Sequence, residues 1–461
     1  MIKPTKKISE MMRRIKGSNT LIEKRMESIL ESLKLKYKKQ PELFGHPDFR
    51  ICGTKILIFC DSSFWHGRTR SKFKRNADFW ENKITENRRR DSQVNRQLRK
   101  EGWKVLRFWD DAIELRPERV GVAISSELKS NRLNVIDLFC GAGGLSQGFL
   151  KHGFNVLLGI DIDKDAVETF RRNHKDAVAL CNDLADVDID EIKRLCGNRK
   201  IDIIVGGPPC QGFSMAGRRI PTDPRNSLFR EYIRIVKGVN PRACVMENVR
   251  GLLSMKTPEG ERVIDVILAE FSNAGYIPLV RSINTADYGI PQRRHRIFII
   301  AIKEGIKFDF PEPTYSEKGL AKDGGRLKVW NGIRGILLPP EKVNRDYYYS
   351  KKLIKGFRRR ERTNKLRGFG FGWSFLNPDK PSYTISARYY KDGAEALVKY
   401  SDDNIRMLTE GECAGIQTFP RTYKFFGSSR STYRQIGNAV PPKMAGVIAR
   451  EVSAALGDYH D

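Results

Sequence analysis

Short apolar runs alternate with helical periods between residues 133 and 302, and this alternation constrains the fold more than any other feature of the chain. The apolar runs are typical of buried strands, and the segments between them have the spacing of amphipathic helices. The predicted strands are 133–138, 155–160, 201–205 and 243–247, and the predicted helices are 164–173, 226–237 and 261–274. Strands that alternate with helices predict an α/β fold built on a doubly wound parallel sheet.

A change of pattern near residues 125–133 divides the chain into two parts. From 308 to 380 the alternation stops, and this segment is rich in Pro, Gly and Arg. We therefore predict a small N-terminal domain at 1–130, a catalytic domain at 131–305 and 385–461, and a small separate region at 306–384.

Basic residues outnumber acidic ones by 84 to 55, so the net charge is +29. Residues 1–130 alone contain 31 Lys and Arg against 17 Asp and Glu, an excess of +14. Such a charge indicates nucleic acid as the partner. The eight Cys form no C-x-x-C pair, which favours a reducing, cytoplasmic environment. No apolar run reaches the roughly 18 residues of a membrane span, so we expect no membrane partner.

The segment Gly206 to Ser214 reads GGPPCQGFS and directly follows a predicted strand. Gly-Gly and Pro-Pro end the strand and stiffen the turn, which holds Cys210 on a tight loop at a strand end. This position is typical of a nucleophile. The alternative is an ordinary buried thiol, since free Cys usually behaves as a small apolar residue.

Two further strand ends carry groups that suit a ligand. Residues 137–146 read DLFCGAGGLS and open a helix, so glycines and free N–H groups are available to a ligand. Asp161 ends the second strand, where an acid can bind a ribose hydroxyl pair, and Glu247 ends another strand. A tight packing turn and a solvated acid are the alternatives. Because the carboxyl ends of parallel strands share one edge, we expect the glycine loop, Cys210 and Glu247 to converge.

Six motifs in a fixed order resemble those of the DNA (cytosine-5)-methyltransferases over residues 133–461. They are DLFCGAGG at 137–144, GIDID at 159–163, GGPPCQGFS at 206–214, ENV at 247–249, QRRHRI at 292–297 and QIGNAVPP at 435–442. The resemblance implies an enzyme that uses S-adenosylmethionine and flips a cytosine out of double-stranded DNA to methylate its C5.

The resemblance also implies a role for each matching residue. Cys210 would add to C6 of the cytosine, and Glu247 would bind N3 and the exocyclic amine and donate a proton. Arg294 and Arg296 would orient the base, although QRRHRI could instead be a basic edge strand. The expected cofactor-binding residues are Phe139, Gly141, Gly143, Asp161, Ile162, Asp183, Pro209, Leu228 and Asn438.

The segment before residues 381–388 lies where this family has its target-recognition region. Here the segment is short and rich in Arg. We expect Arg358, Arg359 and Arg388 to contact bases or phosphates, with a solvated charged face as the alternative.

The N-terminal part has a separate set of acids. Glu23 lies on a predicted helix at 18–33, and Asp48 and Asp61 flank a predicted strand at 55–59. Carboxylates spread around strands suit Mg²⁺, which activates water for hydrolysis. The alternative is that Asp48 and Asp61 form a structural ion-binding or turn feature.

Residues 8–128 resemble the very-short-patch repair endonucleases, which nick DNA at T:G mismatches. The matching segments are IEKR at 22–25, HPDF at 46–49, FWH at 64–66, FWENKI at 79–84, Asn87 with Asp91, GWKVL at 102–106 and Trp109. The resemblance implies a small α/β restriction-endonuclease-like domain in which Asp48 binds Mg²⁺, and Asp61, His66 and Glu23 serve the nuclease site. Phe64, Trp65 and Trp80 would wedge between bases, or else belong to the core.

The family's zinc ligands are missing from this sequence. Ser63 stands where a Cys is expected, Gly67 and Arg68 replace a His/Cys pair, and Asp111 replaces the last Cys. We therefore expect no zinc site.

The resulting hypothesis is a bifunctional DNA enzyme whose first domain repairs mismatches that arise when 5-methylcytosine deaminates. The alternatives are a restriction–modification fusion that cuts unmethylated DNA and a nuclease-dead DNA-binding module. The sequence is compatible with a monomer, and it does not predict the recognition sequence.

Overall fold

The computed structural model describes residues 20–63, 77–130, 132–209, 228–321, 323–366, 373–392 and 395–457. The described residues up to Arg132 form one compact unit, and Leu133–Ala455 form a second. None of the described helices has both the length and the hydropathy of a membrane span.

The N-terminal unit contains a four-stranded sheet in the order β1-β2-β3-β4. The strands are β1 (Tyr37–Lys39), β2 (Phe49–Ile51), β3 (Ile56–Asp61) and β4 (Lys104–Trp109). Strand β2 runs antiparallel to both β1 and β3, and β4 runs parallel to β3. The helices are α1 (Leu21–Ser32), α2 (Ala77–Lys100), α3 (Asp110–Leu115) and α4 (Pro117–Ser130).

Alternate residues of β3 pack on opposite faces of this sheet. Ile56 and Ile58 lie in a core formed with α1, α3 and α4, whereas Leu57 and Phe59 pack against Val94 and Leu98 of α2. This follows from the two-residue period of a strand, and it places helices on both faces of the sheet.

The second unit contains a seven-stranded sheet in the order β10-β11-β9-β8-β5-β6-β7. The strands are β5 (Asn134–Leu138), β6 (Asn155–Asp161), β7 (Val178–Cys181), β8 (Ile203–Gly206), β9 (Ala243–Val249), β10 (Tyr276–Asn284) and β11 (His295–Lys303). Strands β5 to β9 are parallel, and β11 is antiparallel to both β9 and β10. The predicted doubly wound α/β fold is confirmed, with one antiparallel strand added.

Helices follow the parallel strands, as predicted for all but α7. They are α5 (Gly144–Lys151), α6 (Lys164–Asn173), α7 (Ile189–Leu195), α8 (Leu228–Val239) and α9 (Val263–Asn273). The central strands β8, β5 and β9 are buried over nearly their whole length, as expected of a parallel sheet with helices on both faces.

A second hydrophobic core lies beyond the sheet. It joins Ile333 to Ile385, Leu408, Ile416 and Tyr433, so the region after residue 306 shares its core with residues far beyond 384. The elements after residue 306 are α10 (Lys351–Leu366), α11 (Tyr389–Asp392), α12 (Glu410–Ile416), α13 (Ser429–Asn438), α14 (Pro442–Ala455) and the strand pairs β12 (Tyr315–Ser316) with β13 (Lys328–Val329) and β14 (Val398–Ser401) with β15 (Asn404–Arg406). Helix α10 was not predicted.

Candidate active site

The carboxyl ends of four parallel strands meet at one edge of the large sheet. Leu138 at the end of β5 pairs with Ile160 of β6 and Gly206 of β8, and Gly206 pairs with Met246 of β9. The glycine loop, Asp161, the segment that leads to Cys210, and Glu247 therefore leave the sheet side by side, as strand order requires.

The ends of β8 and β9 are joined by a side-chain contact. The Asn248 amide nitrogen donates a hydrogen bond to the Pro208 carbonyl at 3.0 Å. A Cβ added to Gly207 would lie 3.2 Å from Oε2 of Glu247, so a larger residue there would press on the Glu247 carboxylate. The loop that carries Cys210 thus leaves the sheet beside Glu247. Cys210 itself lies outside the described residues.

The Glu247 carboxylate is buried, with 7% of the residue exposed. Burial raises its pKa, and the charges of Arg296 and Arg294 act in the opposite direction. The Arg296 Nε lies 3.0 Å from Oε1 of Glu247, and this ion pair crosses from β11 to β9. The arrangement provides a buried carboxyl group with a raised pKa, next to a cation.

Arg294 is fully buried and bonds the main chain rather than the carboxylate. Its guanidinium donates to the carbonyls of Ile385, Gly437 and Ala439 at 3.1, 2.8 and 3.1 Å. The neighbouring Gln292 is also buried and bonds the Gln417 side chain at 2.9 Å. Gln292 and Arg294 thus attach the segment before β11 to later parts of the chain. Since the observed Arg294 bonds go to the main chain, base orientation by Arg294 stays a prediction. Because β11 lies between β9 and β10, the edge-strand alternative is wrong.

The glycine loop at 139–144 contains three residues in the left-handed region: Phe139 (φ +59°), Gly141 (φ +51°) and Gly143 (φ +85°). The Gly141 N–H donates to Oδ2 of Asp161 at 2.8 Å, and the Asp163 N–H donates to Oδ1 at 2.9 Å. Burial raises the pKa of Asp161. Asp161 thus fixes the loop through one oxygen while each oxygen retains a lone pair for a ligand.

The open side of this loop fits the expected cofactor. A Cβ added to Gly141 would meet nothing within 4 Å, so there is free space in front of it. Ile162 is 68% exposed, so its apolar side chain is accessible to an adenine ring. Asp183 is half-buried and caps the short helical turn after β7. Pro209 and Leu228 are half-buried at the ends of the described segments, and Asn438 is exposed at the end of α13.

The three predicted DNA-contacting Arg differ in their surroundings. Arg358 donates to the Asp402 carbonyl at 2.6 Å, which holds α10 against the β14–β15 turn. Arg359 is exposed on the opposite side of the helix from the buried Ile354, and Arg388 is exposed just before α11. Four exposed cations share the outer face of α10: Lys352, Lys355, Arg359 and Arg362.

In the N-terminal unit, the three predicted acids lie near one another, but each already has a protein partner. Asp48 Oδ2 accepts from the Cys60 N–H at 2.7 Å, and Glu23 forms a capping box with Thr20. Asp61 forms an ion pair with Arg107 at 2.7 Å. Burial raises the pKa of Asp48 to about 6, and the charges of Glu23 and Asp61 add to this shift.

No cluster of three or more metal-binding side chains occurs among the residues that the structure describes. Phe64, Trp65 and His66 lie outside those residues, as does the side chain of Trp80, whose backbone is in α2. Ser63 stands where the mismatch endonucleases have a zinc-binding Cys, and its N–H and hydroxyl both donate to Asp110, which ties the end of β3 to α3.

Sequence reasoning missed several residues that shape the site. Asn248 and Gln292 belong to motifs that were recognised, so their position was a usable signal. Gln417, His174 and Tyr423 lie outside the recognised motifs, and only the three-dimensional contacts reveal them.

The two units match different family models. Residues 133–454 match the family model for C-5 cytosine-specific DNA methylases. The chain belongs to the C-5 cytosine-specific DNA methylase family. Residues 2–72 match the family model for the DNA mismatch endonuclease Vsr, so the similarity proposed for residues beyond 72 rests on the motifs alone.

Individual methylases are similar over the same part of the chain. Type II methyltransferase M1.HphI of Haemophilus parahaemolyticus is 37% identical over 331 residues, which cover 69% of this chain and 86% of the relative. Type II methyltransferase M.NlaX of Neisseria lactamica is 35% identical, over 71% of this chain and 98% of its own length. The methyltransferase EhMeth of Entamoeba histolytica shares the fold, with a TM-score of 0.55 at 20% identity over 70% of this chain and 99% of its own.

Membership of this family makes the second unit a cytosine-5 DNA methyltransferase, with DNA as its substrate and S-adenosylmethionine as its expected cofactor.

Proposed function

We propose that the second unit methylates C5 of a cytosine within a specific DNA sequence, with Cys210 as the nucleophile and Glu247 as the acid. The contact between the ends of β8 and β9 carries this proposal. Asn248 binds the Pro208 carbonyl two residues before Cys210, and Gly207 packs against Glu247. Nucleophile and acid then act on one flipped base.

The chemistry follows from the residue types. Cytosine C5 is a weak nucleophile, and addition of the Cys210 thiolate to C6 moves an electron pair towards C5. Glu247 binds N3 and delivers a proton there as the charge develops, which its burial favours. S-adenosylmethionine, when bound, supplies an electrophilic methyl group for C5. Loss of the C5 proton and then of the thiolate restores the aromatic ring and frees Cys210.

Arg296 has a supporting role in this proposal. Its ion pair with Glu247 fixes the carboxyl group and limits the rise of its pKa, so that Glu247 can both donate and recover a proton. Arg294 would support the base pocket through the main chain that it binds, since its donors are directed at carbonyl groups.

The cofactor would be held at the ends of β5 and β6. Phe139, Gly141 and Gly143 would line its methionine end, and Asp161 would accept from the ribose hydroxyls. Ile162 would cover the adenine, and Asp183 would accept from its amino group, with Pro209, Leu228 and Asn438 around the pocket. The free space at Gly141 and the exposure of Ile162 support this assignment.

Target recognition would use the region at 306–384, with α10 as its main basic element. The outer face of α10 carries Arg359 and three further exposed cations, which suit contact with DNA phosphates. Arg388 would add a contact at the end of this region.

Transfer of a labelled methyl group from S-adenosylmethionine to DNA tests the nucleophile. Cys210→Ser should abolish transfer, while Cys52→Ser, a change at an exposed cysteine of the other unit, should retain it. Turnover by Cys210→Ser close to that of the unchanged protein would contradict the assignment.

For the first unit we propose Mg²⁺-dependent nicking of T:G mismatches. The match to the mismatch endonuclease Vsr and the proximity of Glu23, Asp48 and Asp61 support it. Burial is the main cause of the raised pKa of Asp48, and the charges of Glu23 and Asp61 add to it; a cation bound there would offset that negative charge. Asp48 is the residue we assign to the ion, with His66 near the scissile phosphate and Phe64, Trp65 and Trp80 as the wedge. Glu23 and Asp61 already bind Thr20 and Arg107, so we assign them supporting roles.

Three duplexes of otherwise identical sequence test this proposal: unmodified, methylated at C5, and T:G-mismatched. Each is incubated with Mg²⁺ and the full chain, and strand breaks are counted. Nicking confined to the mismatched duplex is expected. Cleavage confined to the unmodified duplex would instead indicate a restriction nuclease, and no cleavage at all would indicate a DNA-binding module.

A further inference from the structure

We propose that His174 and Tyr423 are positioning residues that hold the glycine loop at 139–144 in the shape that binds the cofactor. This inference rests on the proposed cofactor site at that loop. Neither residue lies in a recognised motif, and they come from distant parts of the chain: His174 directly follows α6, and Tyr423 precedes α13.

The His174 side chain packs directly against Gly143. A Cβ added to Gly143 would overlap Cε1 of His174, so the imidazole fills the space that a side chain at 143 would need. The ring is held in place because its Nδ1 lies 3.1 Å from the Phe170 carbonyl and it stacks on the Phe170 ring at 4.3 Å. Only 2% of His174 is exposed. The loop thus rests on a fixed aromatic surface.

Tyr423 contacts the preceding residue of the same loop, Ala142. Its hydroxyl donates to the Ala142 carbonyl, and its oxygen would lie 2.9 Å from a Cβ on Gly143. The Tyr423 ring packs against Phe419 at 4.7 Å and Phe425 at 5.4 Å, so the donor is held in one position.

These contacts matter for binding because the loop conformation is unusual. Phe139 is strained in the left-handed region, and Gly141 and Gly143 lose backbone entropy when they are fixed, so surrounding contacts must offset both costs if the loop is to be preorganised. His174 and Tyr423 contact the packed side of the loop, and the side at Gly141 stays open for the ligand.

The charge state of His174 agrees with this role. Burial lowers its pKa to about 4, so the imidazole is neutral at physiological pH. A neutral ring behind the loop adds no repulsion towards a cofactor whose methionine end carries a sulfonium and an ammonium group. A Lys or Arg of similar size would add that repulsion.

A matched pair of tyrosine variants tests the proposal. Tyr423→Phe removes only the hydroxyl that binds Ala142. Tyr433→Phe removes a buried hydroxyl that donates to the Leu408 carbonyl at 2.6 Å in the second core, away from the loop. Binding of labelled S-adenosylmethionine to the full chain is measured at equilibrium, and kcat and both KM values are measured with DNA. Thermal unfolding without cofactor shows how much stability each variant loses.

The loss of one hydrogen bond predicts a roughly three- to tenfold weaker binding of S-adenosylmethionine by Tyr423→Phe. The kcat at saturating cofactor and the KM for DNA should stay within about twofold, because the reacting groups are untouched. Tyr433→Phe should lose stability yet bind the cofactor normally. His174→Ala, which leaves a cavity under Gly143, should weaken binding further.

Equal cofactor affinity in Tyr423→Phe and Tyr433→Phe, or a fall in kcat with unchanged affinity, would overturn the proposal. If the unchanged protein itself fails to bind S-adenosylmethionine, the assigned cofactor site is wrong, which is a distinguishable result.

Discussion

Asp137 offers a sharp test of the electrostatics at the cofactor loop. It lies at the end of β5, and only 1% of the residue is exposed. Its Oδ2 accepts from the Ser146 hydroxyl at 2.7 Å and the Ser146 N–H at 3.2 Å, while Oδ1 has no hydrogen-bond partner among the described residues. Burial raises the pKa from 3.8 to about 7, against the effect of the Ser146 bonds.

This shift makes the charged carboxylate a cost to the folded state. Because the folded pKa is above the unfolded one, the acid favours folding fully only below pH 3.8, and this contribution is lost as the pH rises to about 7. With these two pKa values, the loss between pH 5 and pH 8 is about 2.5 kcal/mol. Asp137→Asn removes the titration, and its amide oxygen can still accept from Ser146.

The assay is urea denaturation of the full chain without cofactor, at several pH values from 5 to 8. The amide nitrogen that Asp137→Asn introduces lacks a partner, which adds a constant penalty of about 1–3 kcal/mol at every pH. The pH dependence of the difference between Asp137→Asn and the unchanged protein is therefore the informative quantity. It should move by about 2.5 kcal/mol in favour of the variant between pH 5 and pH 8.

The exposed acid Asp190 provides the control, since Asp190→Asn should change stability by less than about 0.5 kcal/mol throughout. A difference for Asp137→Asn that stays constant with pH, or that moves in favour of the unchanged protein, would refute the reasoning.

Three further predictions concern activity. Glu247→Gln should lower kcat about 10²- to 10⁴-fold in methyl-transfer assays with little change in cofactor affinity, because the proton donor is lost; normal turnover would contradict the acid role. Arg359→Ala should weaken DNA binding and reduce the slope of log K against log salt by about 1, whereas Arg358→Ala should mainly lower the melting temperature, since Arg358 holds α10 to the β14–β15 turn. Equal salt slopes for the two variants would count against the outer face as the phosphate contact. Asp48→Asn should reduce any T:G nicking at least about 100-fold while methyl transfer is retained, and nicking that persists without Asp48 would exclude it as the metal-binding acid.

Local sequence patterns predicted much of the second unit. Helix α6 has the predicted bounds, and β6, β9 and α9 differ from the predicted ranges by two residues or fewer at each end. These elements carry their signal within a few neighbouring residues, as an apolar run or a helical period. The glycine loop and Glu247 each follow a predicted parallel strand, and this was enough to predict that they lie at one edge of the sheet.

Helix α10 shows where local patterns fail. It contains many Lys and Arg and a central glycine, Gly356, so its sequence resembles a charged loop. Its stability comes from distant partners: Phe357 packs against Trp373 at 5.8 Å, and Glu361 accepts from the Trp373 indole at 2.9 Å. Tertiary packing, and not propensity, determines this helix.

Arg294 was predicted to orient the base, and that role stays a prediction, but its hydrogen-bond partners in the structure could not have been predicted. They are carbonyl groups 91 to 145 positions later in the chain. In the first unit, the ion pair of Asp61 with Arg107 likewise joins two strands, and it gives Asp61 a partner that the acid motif does not indicate.

The sequence alone determined the α/β architecture, the family and the chemical types at the site, because periodicity and motif spacing act over short distances. Only the tertiary structure decided how the glycine loop is held. Tyr423 binds the Ala142 carbonyl 281 positions away, and His174 reaches Gly143 from the end of another helix. Fixing the strained Phe139 and two flexible glycines in one shape takes contacts from distant groups, and no local pattern records which groups those are.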